Sequence, residues 1–129
     1  MKNANSVVKV ISFNNVDLYY AELDSIQEDS DFSGRLEETL ATLGRLVHRE
    51  KLLVHLEDTP LSAGRMSRII EAVLKIKSRV SKIAFVGIHG LTRWNFSRML
   101  RRDKGMKEMH WKIINDYQLA KEWIVSSRL

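Results

Sequence analysis

The sequence predicts a single α/β domain: an open mixed β-sheet of about five strands with helices packed on it, in the order ββαβαβαβα. Short apolar runs alternate along the chain with stretches whose apolar residues recur at helical spacing, and the first two runs flank a turn signal. Repeated strand–helix units imply parallel strands joined by right-handed crossovers. The 129 residues suffice for one domain with its own core. We therefore expect residues 1–129 to form a single unit.

The first half of the chain predicts a hairpin, a helix and a third strand. Residues 7–13 and 17–23 are apolar runs on either side of Asn14-Asn15, a pair that tolerates positive φ. Residues 32–49 predict the first helix, because their apolar residues are three or four positions apart: Phe32, Leu36, Leu40, Leu43 and Val47. Residues 51–56 are too short for a typical helix and predict the third strand.

The second half predicts three helices and two strands. Ser62 stands at the N-cap of a helix that ends near Arg79, and residues 82–88 form a continuous apolar run that is typical of a strand covered on both faces. A shorter helix then ends in the basic cluster 101–105, for which we predict a loop. Residues 109–113 alternate like an edge strand. The last helix begins at Asn115-Asp116, with Gln118 in the capping-box position.

Composition excludes several classes of protein. The chain has no cysteine, which excludes disulfides, thiolate nucleophiles and iron–sulfur clusters and fits a reducing compartment, so we expect a cytoplasmic protein. No run approaches about 18 uninterrupted apolar residues, the length needed for a membrane span. Residues 1–6 lack the apolar stretch of a signal peptide. We therefore expect neither export nor a membrane span.

Charge is distributed unevenly along the chain. Residues 1–61 contain six Lys/Arg and eleven Asp/Glu, a net charge of −5, whereas residues 62–112 contain thirteen and three, a net charge of +10. Such a basic segment favours an anionic partner. The more common interpretation is a set of solvated helix faces.

The closing stretch, residues 113–124, resembles the end of the STAS-like, SpoIIAA-like domains, with a strand, an acidic turn and a helix that contains an alanine and an aromatic residue. The resemblance extends over most of the chain. It includes the hairpin, the third strand with the acidic residues at its end, the helix that begins at a serine and the buried strand 83–87. It implies an open mixed sheet and a binding or regulatory module. Such domains occur in anti-sigma-factor antagonists, transporter tails and many small uncharacterised bacterial proteins.

The resemblance also suggests a modification site. Regulatory members of the family carry an Asp-Ser-Ser-Gly phosphorylation motif at the start of the helix after the third strand, and residues 58–64 match it only in Ser62 and Gly64. A phosphate at a helix N-cap would meet free N–H groups, which leaves Ser62 or Thr59 as the candidate phosphorylation site. The ordinary alternative for Ser62 is a structural cap.

Candidate binding residues follow from the predicted topology. The carboxyl ends of parallel strands share one edge of a sheet, where ligands commonly bind. We expect this edge to gather Asp24, Glu57, Thr92 and Asp116 with a candidate partner-binding set: Asp58, Thr59, Ser62 and His89.

Complete catalytic motifs are missing from the sequence. Ser62, His89 and Asp58 contain the residue types of a catalytic triad, but no Gly-x-Ser-x-Gly turn presents the serine. The histidines lack metal-ligand spacing, and residues 87–90 lack a phosphate-binding glycine pattern. We therefore expect no enzyme, no metal and no cofactor, and favour a protein partner or a homo-oligomer.

Two other functions remain open. The basic segment 93–112 combines cations with Trp94, which suggests nucleic-acid binding or, as the favoured outcome, weak and unspecific anion binding through Arg98, Arg101, Arg102 and Lys104. Alternatively, an apolar small molecule would bind in a cleft between helix and sheet lined by Trp94, Met99 and Trp111. A packed core is the competing interpretation of these three residues.

Overall fold

The computed structural model describes residues 7–126 of the chain. Its five-stranded sheet has the spatial order β1-β2-β3-β4-β5. The strands are Val8–Phe13, Val16–Glu22, Glu50–His55, Val80–Val86 and His110–Ile113. β1 and β2 are antiparallel, and each of the other neighbouring pairs is parallel. The predicted open mixed sheet is thus confirmed.

Helices connect the strands in the predicted order, with one extra single-turn helix. They are α1 (Asp29–Gly44), α2 (Ala63–Lys75), α3 (Gly90–Arg102), α4 (Lys104–Lys107) and α5 (Tyr117–Val125), and a 3₁₀ turn over Lys77–Arg79 leads into β4. The predicted hairpin turn is also confirmed, because Asn14 and Asn15 have φ values of 52° and 65°.

The two faces of the sheet are covered unequally. The larger core lies under α1 to α4, and in it the rings of Phe85 and Phe96 meet edge to face with their centroids 5.1 Å apart. Among residues 7–126, α5 is the helix that covers the other face, and its Ala120 and Ile124 pack on β2, β3 and β4. β4 is buried on both faces, which explains its continuous apolar run.

Three predicted helix boundaries were wrong. The first helix ends at Gly44 and not at Arg49, and Val47 is 82% exposed, so the apparent apolar stripe extended into a loop. It also begins earlier, with Asp29 and Asp31 in a first turn where acidic residues are favourable. The second helix ends at Lys75, before the 3₁₀ turn.

The basic cluster and the start of the last helix also differ from the prediction, the second only in part. The basic cluster 101–105 is not a loop: α3 continues to Arg102, and the carboxylate of Asp103 accepts the N–H of Met106 and begins α4. In the last helix the predicted cap at Asn115-Asp116 is confirmed, because Asp116 accepts the N–H of Leu119, but the capping box with Gln118 does not form. In both places the aspartate nearest to the helix start supplies the cap.

Residues 1–6, on which the expectation about export rests, lie outside the described residues. Across residues 7–126, no helix has both the length and the apolar character that crossing a bilayer requires.

Candidate functional site

An open cleft of about 510 Å³ lies at the carboxyl ends of β3 and β4, and we call it the strand-end cleft. Its walls are the loop from β3 to α2 and the turn from β4 to α3. The lining residues are Gln27, Glu57, Asp58, Thr59, Pro60, Leu61, Gly87, Ile88, His89 and Thr92. The structure therefore brings Asp58, Thr59 and His89 together as expected, and Ser62 follows at the N-cap of α2.

Two unusual backbone positions shape this cleft. Gly87 has φ of +92°, and a Cβ there would lie 2.6 Å from the backbone nitrogen of Glu57, so only glycine fits without a shift. Asp58 has φ of 60°, in the left-handed region that aspartate tolerates. The two loops can therefore approach closely just beyond the ends of their strands.

Glu57 and His89 form a polar pair at the cleft. Nε2 of His89 lies 3.2 and 3.1 Å from the two carboxylate oxygens of Glu57, and the side chains are 56% and 44% exposed respectively. Such a pair can bind a polar group of a partner or exchange a proton. Within residues 7–126, neither side chain is hydrogen-bonded to a hydroxyl group, and His89 pairs with Glu57 instead of with Asp58 or Ser62 as the triad would require.

The hydroxyl of Thr59 is occupied by structural contacts. This residue is 7% exposed, and its Oγ1 donates to the carbonyl of Leu23 at 2.5 Å and accepts the N–H of Ile26 at 3.0 Å. Ser62 is exposed, and its Oγ accepts the N–H of Arg65 at 3.2 Å as the predicted helix cap. Of the two candidate phosphorylation residues, Ser62 is therefore the exposed one.

Arg65 is a buried residue of this region that the sequence did not indicate. Its guanidinium donates to the carboxylate of Asp29 at 2.8 Å and to three backbone carbonyls, those of Ile26, Gln27 and Pro60, at 2.7 to 3.1 Å. It also lies 4.8 Å from the ring centroid of Phe32. Arg65 therefore fixes the loop that enters α1 against the loop that enters α2.

The α5 side of the same edge holds an aromatic cluster. Tyr20 Oη lies 2.6 Å from Nδ1 of His55, and the ring of Tyr117 packs on both side chains with centroids 5.7 and 6.3 Å away. Asp24, which we expected at this edge, lies 3.7 Å from the same Nδ1. Burial is the main cause that raises the pKa of Tyr20 and of Tyr117, with nearby Glu22 adding to both shifts.

The same architecture is found in a solved crystal structure, an uncharacterized protein of the DUF3478 family with a SpoIIAA-like fold from Shewanella loihica PV-4. The likeness covers 91% of each chain with a TM-score of 0.53 and 16% sequence identity. This chain has a SpoIIAA-like fold. No family model matches the sequence, and neither does any curated protein. At 16% identity the likeness concerns the fold alone.

In this SpoIIAA-like fold the four predicted anion-binding residues do not form one surface. Arg98 and Arg102 line a cleft of about 290 Å³ between α2 and α3, whereas Arg101 lines a different groove between α3 and β5. Lys104 is exposed at the start of α4. The basic segment is therefore divided between two sides of α3.

The predicted apolar cleft is divided in the same way. Trp94 and Trp111 line the groove between α3 and β5, but Met99 lines the cleft between α2 and α3. Phe96 and Leu100, on the side of α3 that faces the sheet, are fully buried in the core, so Trp94, Met99 and Trp111 do not line a single cleft. Among the residues that the structure describes, no group of three or more His, Asp or Glu side chains could hold a metal ion.

Proposed function

We propose that this SpoIIAA-like domain is a non-enzymatic regulatory module that binds a protein partner at the strand-end cleft. Exposed apolar residues next to the cleft support this proposal most directly. Leu91 and Trp94, in the first turns of α3, are 73% and 55% exposed. They are three positions apart on one helix face, and Leu91 directly precedes the cleft residue Thr92. Apolar groups rimmed by polar ones are typical of protein-binding surfaces.

The polar groups of the cleft suit recognition better than catalysis. Glu57 and His89 are exposed and paired with each other, while the hydroxyl groups of Thr59 and Ser62 are engaged in structural hydrogen bonds. A catalytic role would need a nucleophile or a substrate-activating group next to the pair. A partner needs only accessible, complementary groups.

Ser62 is the residue through which added charge would control binding. It is exposed, and its neighbour Ala63 lines the cleft that contains Arg98 and Arg102. A phosphate there would meet the free N–H groups of α2 and lie on the side of α3 that carries these guanidinium groups. We expect Ser62→Ala to cost about 1 kcal/mol of stability through the lost cap, and Ser62→Glu to change partner binding more than stability.

Position-specific photo-crosslinking in the cells that make the protein tests the proposal. A photoreactive amino acid would replace Leu91 in one variant and Val10, which is 57% exposed on β1 at the far end of the sheet, in the matched control. We expect one discrete adduct from position 91 and none from position 10. The mass of the adduct identifies the partner, and twice the mass of the chain would identify a second copy. Adducts of equal yield from both positions, or none from position 91, would contradict the proposal.

A further inference from the structure

A groove of about 430 Å³ runs between α3 and the edge strand β5, and we call it the α3–β5 groove. Two tryptophans and two arginines dominate its lining, which contains no Asp or Glu: Arg93, Trp94, Arg101 and Trp111. Lys112 also borders it, but its Nζ lies 5.4 Å from the ring centroid of Trp123 on the other face of the sheet. The groove is thus basic and aromatic, in contrast to the strand-end cleft with its carboxylates.

The two tryptophans present aromatic surface in different ways. Trp94 is 55% exposed, and the guanidinium of Arg98 lies 4.8 Å from its ring centroid, which orients the indole from one side. Trp111 is half-buried on β5 and packs against the core under α3. One ring is therefore accessible and the other is held rigidly by the fold.

The two arginines flank these rings along the helix. Arg93 is anchored, since its Nη2 donates to the carbonyl of Ile113 at 2.9 Å. Arg101 is exposed and follows Trp94 by seven residues, which places both on the same helix face. Arg93 and Arg101 are eight residues apart, about 12 Å along the helix axis. They can therefore bind different phosphates of one strand.

We propose that the α3–β5 groove binds single-stranded nucleic acid, with bases stacked on Trp94 and Trp111 and phosphates paired with Arg93 and Arg101. Stacking platforms next to cations are how sequence-tolerant single-strand binders work. An acidic peptide would satisfy the arginines but would leave the indole faces without a stacking partner. A duplex would keep its bases inside its own stack, out of reach of the rings.

The surrounding charge favours a polymer as the occupant over a single nucleotide. Beyond the groove, Arg98 and Arg102 line the cleft on the other side of α3, and Lys104 is exposed at the start of α4. A strand that leaves the groove remains close to these cations. Trp94 is exposed next to both sites, but the strand-end cleft and the α3–β5 groove have different lining residues and are tested by different measurements, so the two proposals can fail independently.

Fluorescence anisotropy with a labelled single-stranded oligonucleotide of about 12 nucleotides tests the proposal. We expect Trp94→Ala and Arg101→Ala each to weaken binding about tenfold. The matched control for Trp94→Ala is Leu91→Ala, because Leu91 is an exposed apolar residue on the same helix. The matched control for Arg101→Ala is Lys107→Ala, because Lys107 is an exposed cation of the same basic segment. Each control should change the affinity less than about twofold. Circular dichroism would verify that all four variants fold.

The salt dependence gives a second measure. With two phosphates paired, log K should fall with log salt with a slope of about −1.4, and Arg101→Ala should reduce that slope by about half. Several results would overturn the proposal. The first is an equal loss of affinity in Arg101→Ala and Lys107→Ala, and the second is an unchanged affinity in Trp94→Ala. The third is binding of a mononucleotide, of a duplex of the same length or of an oligoglutamate peptide that is as tight as binding of the single strand.

Discussion

Arg65 and Arg101 have the same charge and opposite surroundings. Arg65 is 6% exposed, and its guanidinium donates four hydrogen bonds, one to a carboxylate and three to backbone carbonyls. Arg101 is exposed at the α3–β5 groove, and within residues 7–126 the structure gives it no ion pair or hydrogen bond. A count of charge in the sequence treats the two alike. One holds the fold together, whereas the other is available to a ligand.

The same division applies to the basic segment as a whole. Arg79 donates to the carbonyl of Leu46, and Lys82 donates to the carbonyls of Trp123 and Ser126, which end α5. These cations fasten loops and helix ends to the sheet. The net charge of residues 62–112 therefore overstates the charge that a partner could use, and the available part lies along α3 and α4.

The largest effect should come from replacing the buried arginine. Arg65→Met would leave the carbonyls of Ile26, Gln27 and Pro60 without this donor, of which the contact with Ile26 is fully buried and the other two are partly buried. A buried carbonyl without a partner costs about 1 to 3 kcal/mol. We expect a total loss of about 3 kcal/mol or more in the free energy of unfolding by urea. The control, Arg101→Met, should stay within about 0.5 kcal/mol of the parent. Similar losses in the two variants would remove the distinction between them.

A smaller loss should follow from Thr59→Val, which keeps the shape of the side chain but removes the hydroxyl between Leu23 and Ile26. We expect a loss of about 2 kcal/mol, because a buried donor and a buried acceptor lose their partner together. Thr59→Ser retains the hydroxyl and should recover most of that stability in the same urea titration. If the valine variant is as stable as the parent, the hydroxyl does not hold the loop.

Sequence patterns predicted those parts of the fold that depend on local spacing. The Asn14-Asn15 turn, the cap at Ser62 and the two-sided burial of β4 all follow from residues close in the chain. The burial of Arg65 depends on loops more than 30 positions away, and no local pattern indicates it. The pairing of Glu57 with His89 likewise requires the register of β3 against β4.

The division of the basic and apolar residues around α3 could have been predicted in part. Trp94 and Met99 are five residues apart, which at about 100° per residue places them about 140° apart around the helix. They could not line one cleft. Trp94 and Arg101, seven residues apart, share a face by the same rule, and that pairing indicates the α3–β5 groove. The sequence could not show that β5 would place Trp111 opposite them.

A third and smaller effect concerns alkaline pH. The folded chain raises the pKa of Tyr20 and of Tyr117 above the ordinary value of 10.0, chiefly through burial. Their contribution to stability is therefore fully present below pH 10 and is lost as pH rises further, because the unfolded chain releases these protons first. The free energy of unfolding should fall by at most about 1.4 kcal/mol per pH unit for each of the two tyrosines.

Burial and the charges of Lys51 and Lys112 lower the pKa of Lys82, which acts in the opposite direction. Because the unfolded chain binds this proton more tightly, the contribution of Lys82 to stability rises with pH up to about 10.5, the ordinary pKa of lysine, and then levels off. Tyr20→Phe should thus reduce the loss of unfolding free energy that urea titrations measure between pH 8 and pH 11. The control, Tyr19→Phe, leaves Tyr20 and Tyr117 in place and should not reduce that loss. An identical pH dependence in both variants would show that Tyr20 does not contribute.

The most direct test of the partner-binding account is the yield of the crosslinked adduct from position 91 when the cleft is altered. The yield would be measured in the parent, in His89→Ala and in Ser62→Glu, with the melting temperature of each protein determined in parallel. We expect both variants to melt within about 5 °C of the parent and both to lose most of the adduct. Unchanged yields in both variants would contradict the account.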